Sequence, residues 1–149
     1  MQALDDVQQG RRKDVLDLEQ RRPGVLHGGG GADTLIGGAG KDTLIGGAGK
    51  DHFVFTKITE SRVAAPDLIK DVAAGDKIDL HLIDANTGKA GNQAFHFGHT
   101  AGHAGDIVVH YDSAHKVTVV GLYVNGDSKV DAMIWLQGDH TLHATDFVL

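Results

Sequence analysis

Asp33, Asp42 and Asp51 stand nine residues apart, each followed two positions later by a large apolar side chain, Leu35, Leu44 and Phe53. Each aspartate closes a glycine-rich hexapeptide, so residues 28–36, 37–45 and 46–54 all read G-G-x-G-x-D-x-U-x, with U large and apolar. Carboxylates at fixed spacing beside loops full of backbone carbonyls form the donor set of a hard cation, and Ca²⁺ takes six to eight such oxygens. The six loop positions must turn tightly through positive φ, which glycine reaches without a Cβ clash. The last three form a short strand. One nonapeptide then makes half a coil, and Asp33 and Asp51 return to the same side one strand spacing away, about 4.8 Å. The candidate ligands are Asp33, Asp42 and Asp51 with the loop positions Gly28, Gly30, Gly37, Ala39, Gly46 and Ala48.

In-phase repetition of this nonapeptide is a signature of calcium-binding parallel β-rolls. A flexible glycine linker has no reason to keep three aspartates and three large apolar residues in register. Ten of the 22 residues from Gly28 to Gly49 are glycine. Ordering them costs on the order of 1–2 kcal/mol each, and stacked carboxylates add repulsion. Folding of this segment is therefore expected to depend on a bound cation. Asp33 and Asp51 are expected to share the complete repeat–repeat site. Asp42, on the other side, lacks an intact repeat on either flank and is expected to hold a weaker one.

The bulk composition narrows the remaining choices. The chain has 149 residues, 41% hydrophobic, 5% aromatic, with a formal charge of −6 and no cysteine. One domain with a short extension is expected. Nucleic acid is an unsuitable partner, because phosphate binding needs a basic face. Residues 1–26 contain no apolar stretch of a cleaved export signal, and no run approaches the ~20 apolar residues of a membrane-spanning helix.

Residues 1–27 read as an N-terminal extension, either an amphipathic helix ended by Pro23-Gly24 or decayed repeats, since Lys13-Asp14-Val15-Leu16 mimics positions five to eight. Residues 28–55 are the roll. Residues 56–149 are a β-rich region with strands expected at 68–72, 77–83, 94–97, 107–111, 117–124 and 132–136. Val, Ile and Thr dominate these runs. The fold class is all-β, a short parallel β-roll followed by a mostly antiparallel cap.

From Gly28 onward the chain resembles the C-terminal RTX domain of serralysin-type (peptidase M10) secreted metalloproteases. Besides the repeats, Phe53-Val54-Phe55, residues 65–71, Gly75-Asp76-Lys77-Ile78-Asp79-Leu80 and the terminal Asp146-Phe147-Val148-Leu149 carry the likeness. The resemblance implies a calcium-folded, extracellular module exported by a type I (ATP-binding-cassette) apparatus, with an uncleaved signal at the extreme C-terminus. By the same analogy Asp67 or Asp71 closes the half-site of the second repeat. The H-E-x-x-H of the family's protease is absent, so the chain is expected to be non-catalytic by itself, a fragment or stand-alone tail of a secreted protease.

Three further groups have simpler readings. His96, His99 and His103 lie in a Gly/Ala/Thr stretch and are expected to be exposed loop histidines. Tyr123-Val-Asn125-Gly-Asp127-Ser-Lys-Val-Asp131 lacks the first acid and the glycine of a calcium loop, so it is expected to be a plain turn. A carbohydrate-binding accessory module of a secreted polysaccharide-modifying enzyme is the alternative function; it would draw on Phe95, Phe97, Tyr111, Tyr123 and Trp135.

Overall fold

In the computed structural model, residues 5–8, 15–17, 23–98 and 102–149 are described, the side chains of the first two segments excepted. The strands are β1 (Asp5–Gln8), β2 (Val15–Asp17), β3 (Gly24–Gly30), β4 (Thr34–Ile36), β5 (Thr43–Ala48), β6 (His52–Val54), β7 (Asp67–Ile69) and β8 (Lys77–Asp79). They continue as β9 (His96–Phe97), β10 (Asp106–Asp112), β11 (Val117–Leu122), β12 (Ala132–Gln137) and β13 (Phe147–Val148). A single 3-10 turn, Ala144–Asp146, is the one helical element among the described residues.

Strands β1 to β8 alternate between two sheets, as half-coils require. One sheet runs β1-β3-β5-β7-β12-β11-β10-β9 and the other β13-β8-β6-β4-β2. Pairing through the roll is parallel and in register, Leu26 beside Leu44 beside Ile69 on one side and Leu35 beside Phe53 beside Ile78 on the other. All six are buried between the sheets. The interior of the roll is thus a two-column apolar stack made from the eighth position of each nonapeptide. In the first sheet β10, β11 and β12 are antiparallel, and β12 joins the roll by pairing parallel to β7. All six residues of β11 are buried, which makes it the centre of the cap.

Several sequence expectations need revision. The nine-residue spacing stops at Val54, but both sheets run on through β7 and β8, so residues 55/56 mark no break in the ladder. The strand expected over 77–83 ends at Asp79, because the Asp79 carboxylate accepts from the His81 amide and turns the chain. Leu80 N then donates to Val148 O at 2.8 Å. At the other end β1 and β2 pair parallel to β3 and β4, Val7 beside Leu26 and Leu16 beside Leu35. Backbone register there follows the decayed-repeat alternative and replaces the amphipathic helix at those strands; the arginine pairs of residues 11–12 and 21–22 lie outside the described residues.

Candidate metal centre

Each loop of the roll ends in an aspartate folded inward beneath the next. Asp33 is 1% exposed, and Asp42, Asp51 and Asp67 are 0% exposed. Burying an ionised carboxylate is costly unless it is paired or coordinated. One oxygen each of Asp42, Asp51, Asp67 and Asp76 is satisfied by the sixth-position amide one coil away. The Asp33 amide donates to Asp51 Oδ1 at 2.8 Å and the Asp51 amide to Asp76 Oδ1 at 2.9 Å. On the opposite side the Gly24 amide donates to Asp42 Oδ1 at 2.9 Å and the Asp42 amide to Asp67 Oδ1 at 2.8 Å. Two files result, Asp33–Asp51–Asp76 and Gly24–Asp42–Asp67.

The second oxygen of Asp42, Asp51 and Asp67 is buried without a hydrogen-bond donor. In the repeats this oxygen faces the glycine that opens the same loop. A Cβ on Gly46 would lie 2.4 Å from Asp51 Oδ2, and one on Gly37 would lie 3.0 Å from Asp42 Oδ2. Backbone oxygens crowd the same loops: a Cβ on Gly47 would meet Gly29 O at 2.0 Å, and one on Gly49 would meet Gly31 O at 1.6 Å. Glycine at these positions lets successive loops stack at backbone distance. Gly28, Gly37 and Gly46 are buried, Gly30 is half-buried, and Ala39 and Ala48 are exposed on the loop rims.

Burial dominates the electrostatics. It pushes Asp67 up to about 8 and Asp42 up to about 6, against the opposing pull of the amides they bind, with the Glu60 charge raising both further. Asp51 is raised for the same first reason, with Asp76, Asp33 and Asp71 adding like-charge repulsion. A cation would reverse this balance by favouring the charged forms. Among the described residues no three His, Cys, Asp or Glu side chains converge on one metal position. Buried carboxylate oxygens beside loops rich in backbone carbonyls are hard oxygen donors of the kind that suits Ca²⁺.

Of the two residues named by analogy for the second repeat, Asp67 lies there, and Asp71 lies instead at the loop of the third repeat, on the other side of the roll. Asp67 extends the Asp42 file, and the Asp71 carboxylate receives the Gly46 amide at 2.9 Å and the Gly47 amide at 2.7 Å. Two further acids, neither among the candidate ligands, stand beside these loops. Asp76 ends the Asp33 file, and its other oxygen accepts from Ala73 N at 2.8 Å. Buried Glu60 takes the Thr56 amide at 2.8 Å and its hydroxyl. A signal for Asp76 was present: Asp67-Leu68-Ile69 and Asp76-Lys77-Ile78 keep the D-x-U core nine residues apart. Both files use the same amide-to-carboxylate link; the Asp33 side carries Asp51, Asp76 and Asp71 as well, whereas the Asp42 side begins at Gly24 and continues to Asp67.

The remaining groups stay apart from this centre. His99 lies outside the described residues; His96 is exposed, and His103, also exposed, places Nδ1 3.3 Å from Asp106 Oδ2. In the 123–131 segment the acids hold their own turn. Asp131 accepts from Val124 N and Asn125 Nδ2, and Asp127 from Lys129 N.

Comparison with known proteins agrees with this architecture. The profile of the peptidase M10 serralysin C-terminal family matches residues 28–149. Serralysin A of Dickeya chrysanthemi is 42% identical over 77 residues, 51% of this chain and 15% of that protein. Metalloprotease AprA of Pseudomonas entomophila is 40% identical over 98 residues, 65% of this chain and 20% of its own length. The chain thus spans a fifth or less of these relatives. The solution structure of the AlgE6R3 subunit of the Azotobacter vinelandii mannuronan C5-epimerase superposes with a TM-score of 0.60 and 25% identity, covering 93% of this chain and 78% of that one. The chain is an all-β protein that belongs to the peptidase M10 serralysin C-terminal family.

Proposed function

We propose that this is a calcium-binding RTX module, non-catalytic by itself, that is exported by a type I apparatus and folds outside the cell. The observation that carries the reading is the pair of aspartate files, with Asp42, Asp51 and Asp67 each keeping one buried oxygen without a donor. Residues Asp33, Asp51, Asp76 and Asp71 on one side, and Asp42 and Asp67 on the other, would hold the ion together with carbonyls of the 28–30, 37–39 and 46–48 loops. Bound Ca²⁺ supplies the positive charge that lets these carboxyls remain ionised while buried. Extracellular modules are commonly tuned to about 10⁻⁴–10⁻³ M Ca²⁺, far above cytosolic levels. The chain would stay open during export and close afterwards. Circular dichroism during calcium titration is the test: little β signal in excess chelator and a cooperative rise toward millimolar Ca²⁺ are expected. Identical spectra and proteolysis patterns in both conditions would refute the reading.

The C-terminus belongs to the same scheme. Phe147 is buried and Val148 is bonded to Leu80 in the folded chain, so an export tag at Asp146–Leu149 is accessible only while the chain is unfolded. A second reading, a polysaccharide-binding module, is favoured by the likeness to a subunit of a mannuronan C5-epimerase.

A further inference from the structure

We infer that the cleft between the second repeat loop and the 56–65 connection binds an acidic polysaccharide, a chain of uronate sugars. The inference rests on the second reading above and gives it residues. The cleft measures about 900 Å³ and is lined by Gly38–Lys41 on one side and by Thr56, Lys57, Thr59, Glu60 and Arg62 on the other. That volume suits an oligomer of several rings. Three cationic side chains, Lys41, Lys57 and Arg62, face it in a chain whose formal charge is −6. The acid–base pairs among the described residues are all His–Asp, which leaves these three cations without an acidic partner there. The one acid in the cleft, Glu60, has both oxygens engaged by Thr56.

The chemistry selects the class of ligand. Repeated carboxylates would meet the ammonium and guanidinium groups, while ring hydroxyls would meet Thr56, Thr59 and the loop backbone. Lys41 Nζ lies 5.7 Å from the centroid of the Trp135 ring, and His115 packs on the same ring at 5.1 Å. Trp135 sits in a lateral row on the outer face of the first sheet, Thr43, Leu68, Trp135, Val119 and His110. Lys41 therefore links the cleft to the half-buried Trp135 ring.

The test is calorimetric titration of the full chain, folded in millimolar Ca²⁺, with a uronate hexamer short enough not to gel. Binding that weakens severalfold between low and moderate salt is expected. A triple variant, Lys41→Gln, Lys57→Gln and Arg62→Gln, should lose about tenfold or more in affinity with an unchanged calcium-induced β signal. Undiminished uronate binding by that variant would overturn the cleft while leaving the polysaccharide reading standing. No binding of any glycan would sink both. Equal affinity for poly-glutamate or for a neutral glucan hexamer would overturn the uronan assignment. The calcium titration is read separately, so failure of the calcium proposal is distinguishable from all of these.

Discussion

The Asp42 amide donates to Asp67 Oδ1 at 2.8 Å across 25 residues of chain, and the Asp51 amide donates to Asp76 Oδ1 across the same 25. Within the repeats the matching step is 18, as for Asp33 and Asp51. The seven additional residues form the connection after Val54, and the coil resumes beyond it. The roll therefore runs two half-coils beyond the C-terminal end of its glycine repeats.

Acid should substitute for metal in the calcium-free protein. Asp42 and Asp67 have folded-state values near 6 and near 8, above the ordinary 3.8. Raised values mean the fold binds more protons than the unfolded chain. Stability from these groups is full at low pH and is lost as pH rises through about 6 and then about 8, by roughly 1.4 kcal/mol per unit per group. In excess chelator, where little β signal is expected near neutral pH, a folded fraction with a cooperative melt should appear at pH 5 and be lost by pH 8.5. The calcium midpoint should move the other way, toward higher concentration as pH falls, because protons and metal compete for the same oxygens. A pH-independent melt would contradict the burial of these groups.

Neutral isosteres should separate metal affinity from apo stability. Asp67→Asn keeps an acceptor for the Asp42 amide and removes a buried charge. In excess chelator at pH 8 the variant is expected to show more β signal than the parent chain, and calcium titration to require about tenfold more metal or worse. Asp42→Asn and Asp51→Asn are expected to weaken calcium binding to similar extents, since each carboxylate accepts one amide and keeps one buried oxygen without a donor. A large effect from Asp51 alone would support the ranking that favours the Asp33–Asp51 side.

Backbone stacking should be intolerant of a single methyl. Gly47 has φ of +90° and Gly49 +146°, each directly over a carbonyl of the preceding coil. Gly47→Ala or Gly49→Ala should destabilise the calcium-bound form by about 3 kcal/mol or more. Gly98 has φ of +87° with nothing within 4 Å of an added Cβ, so Gly98→Ala should cost only about 1–2 kcal/mol. Urea unfolding at fixed Ca²⁺ measures the difference.

Removal of Asp146–Leu149 should block export in cells carrying a compatible type I apparatus and also lower stability. Phe147 is 7% exposed and packs 5.3 Å from the Phe97 ring, so Phe147→Ala should cost about 3 kcal/mol in the folded module. Aspartate variants of the two files should leave the cell normally and fold poorly outside. Secretion of the truncated chain at the intact level would leave the last strand with a structural role alone.

Period and composition carried much of this molecule. Glycine at fixed loop positions, aspartate at the sixth and an apolar residue at the eighth specify a coil locally, because each half-coil repeats the same φ and burial demands as the one before. The turn at 123–131 was legible for a similar reason: its acids are spaced to bond their own backbone amides. Where the spacing broke, legibility failed. Residues 62–79 retain D-x-U but put Arg62 and Asp71 where glycine opens the loop, and so read as connection and cap.

The sequence by itself determined the alternating half-coils, the buried apolar columns and the class of oxygen donors, all set by contacts nine or eighteen residues apart. The tertiary structure decided that Asp67 and Asp76 close the two files, that β12 carries the first sheet into the cap, and that the terminal strand lies on β8. Those pairings join segments separated by variable loops. Loop-closure cost changes only slowly with length, so sequence spacing does not fix the partner, whereas packing against the coil already present does.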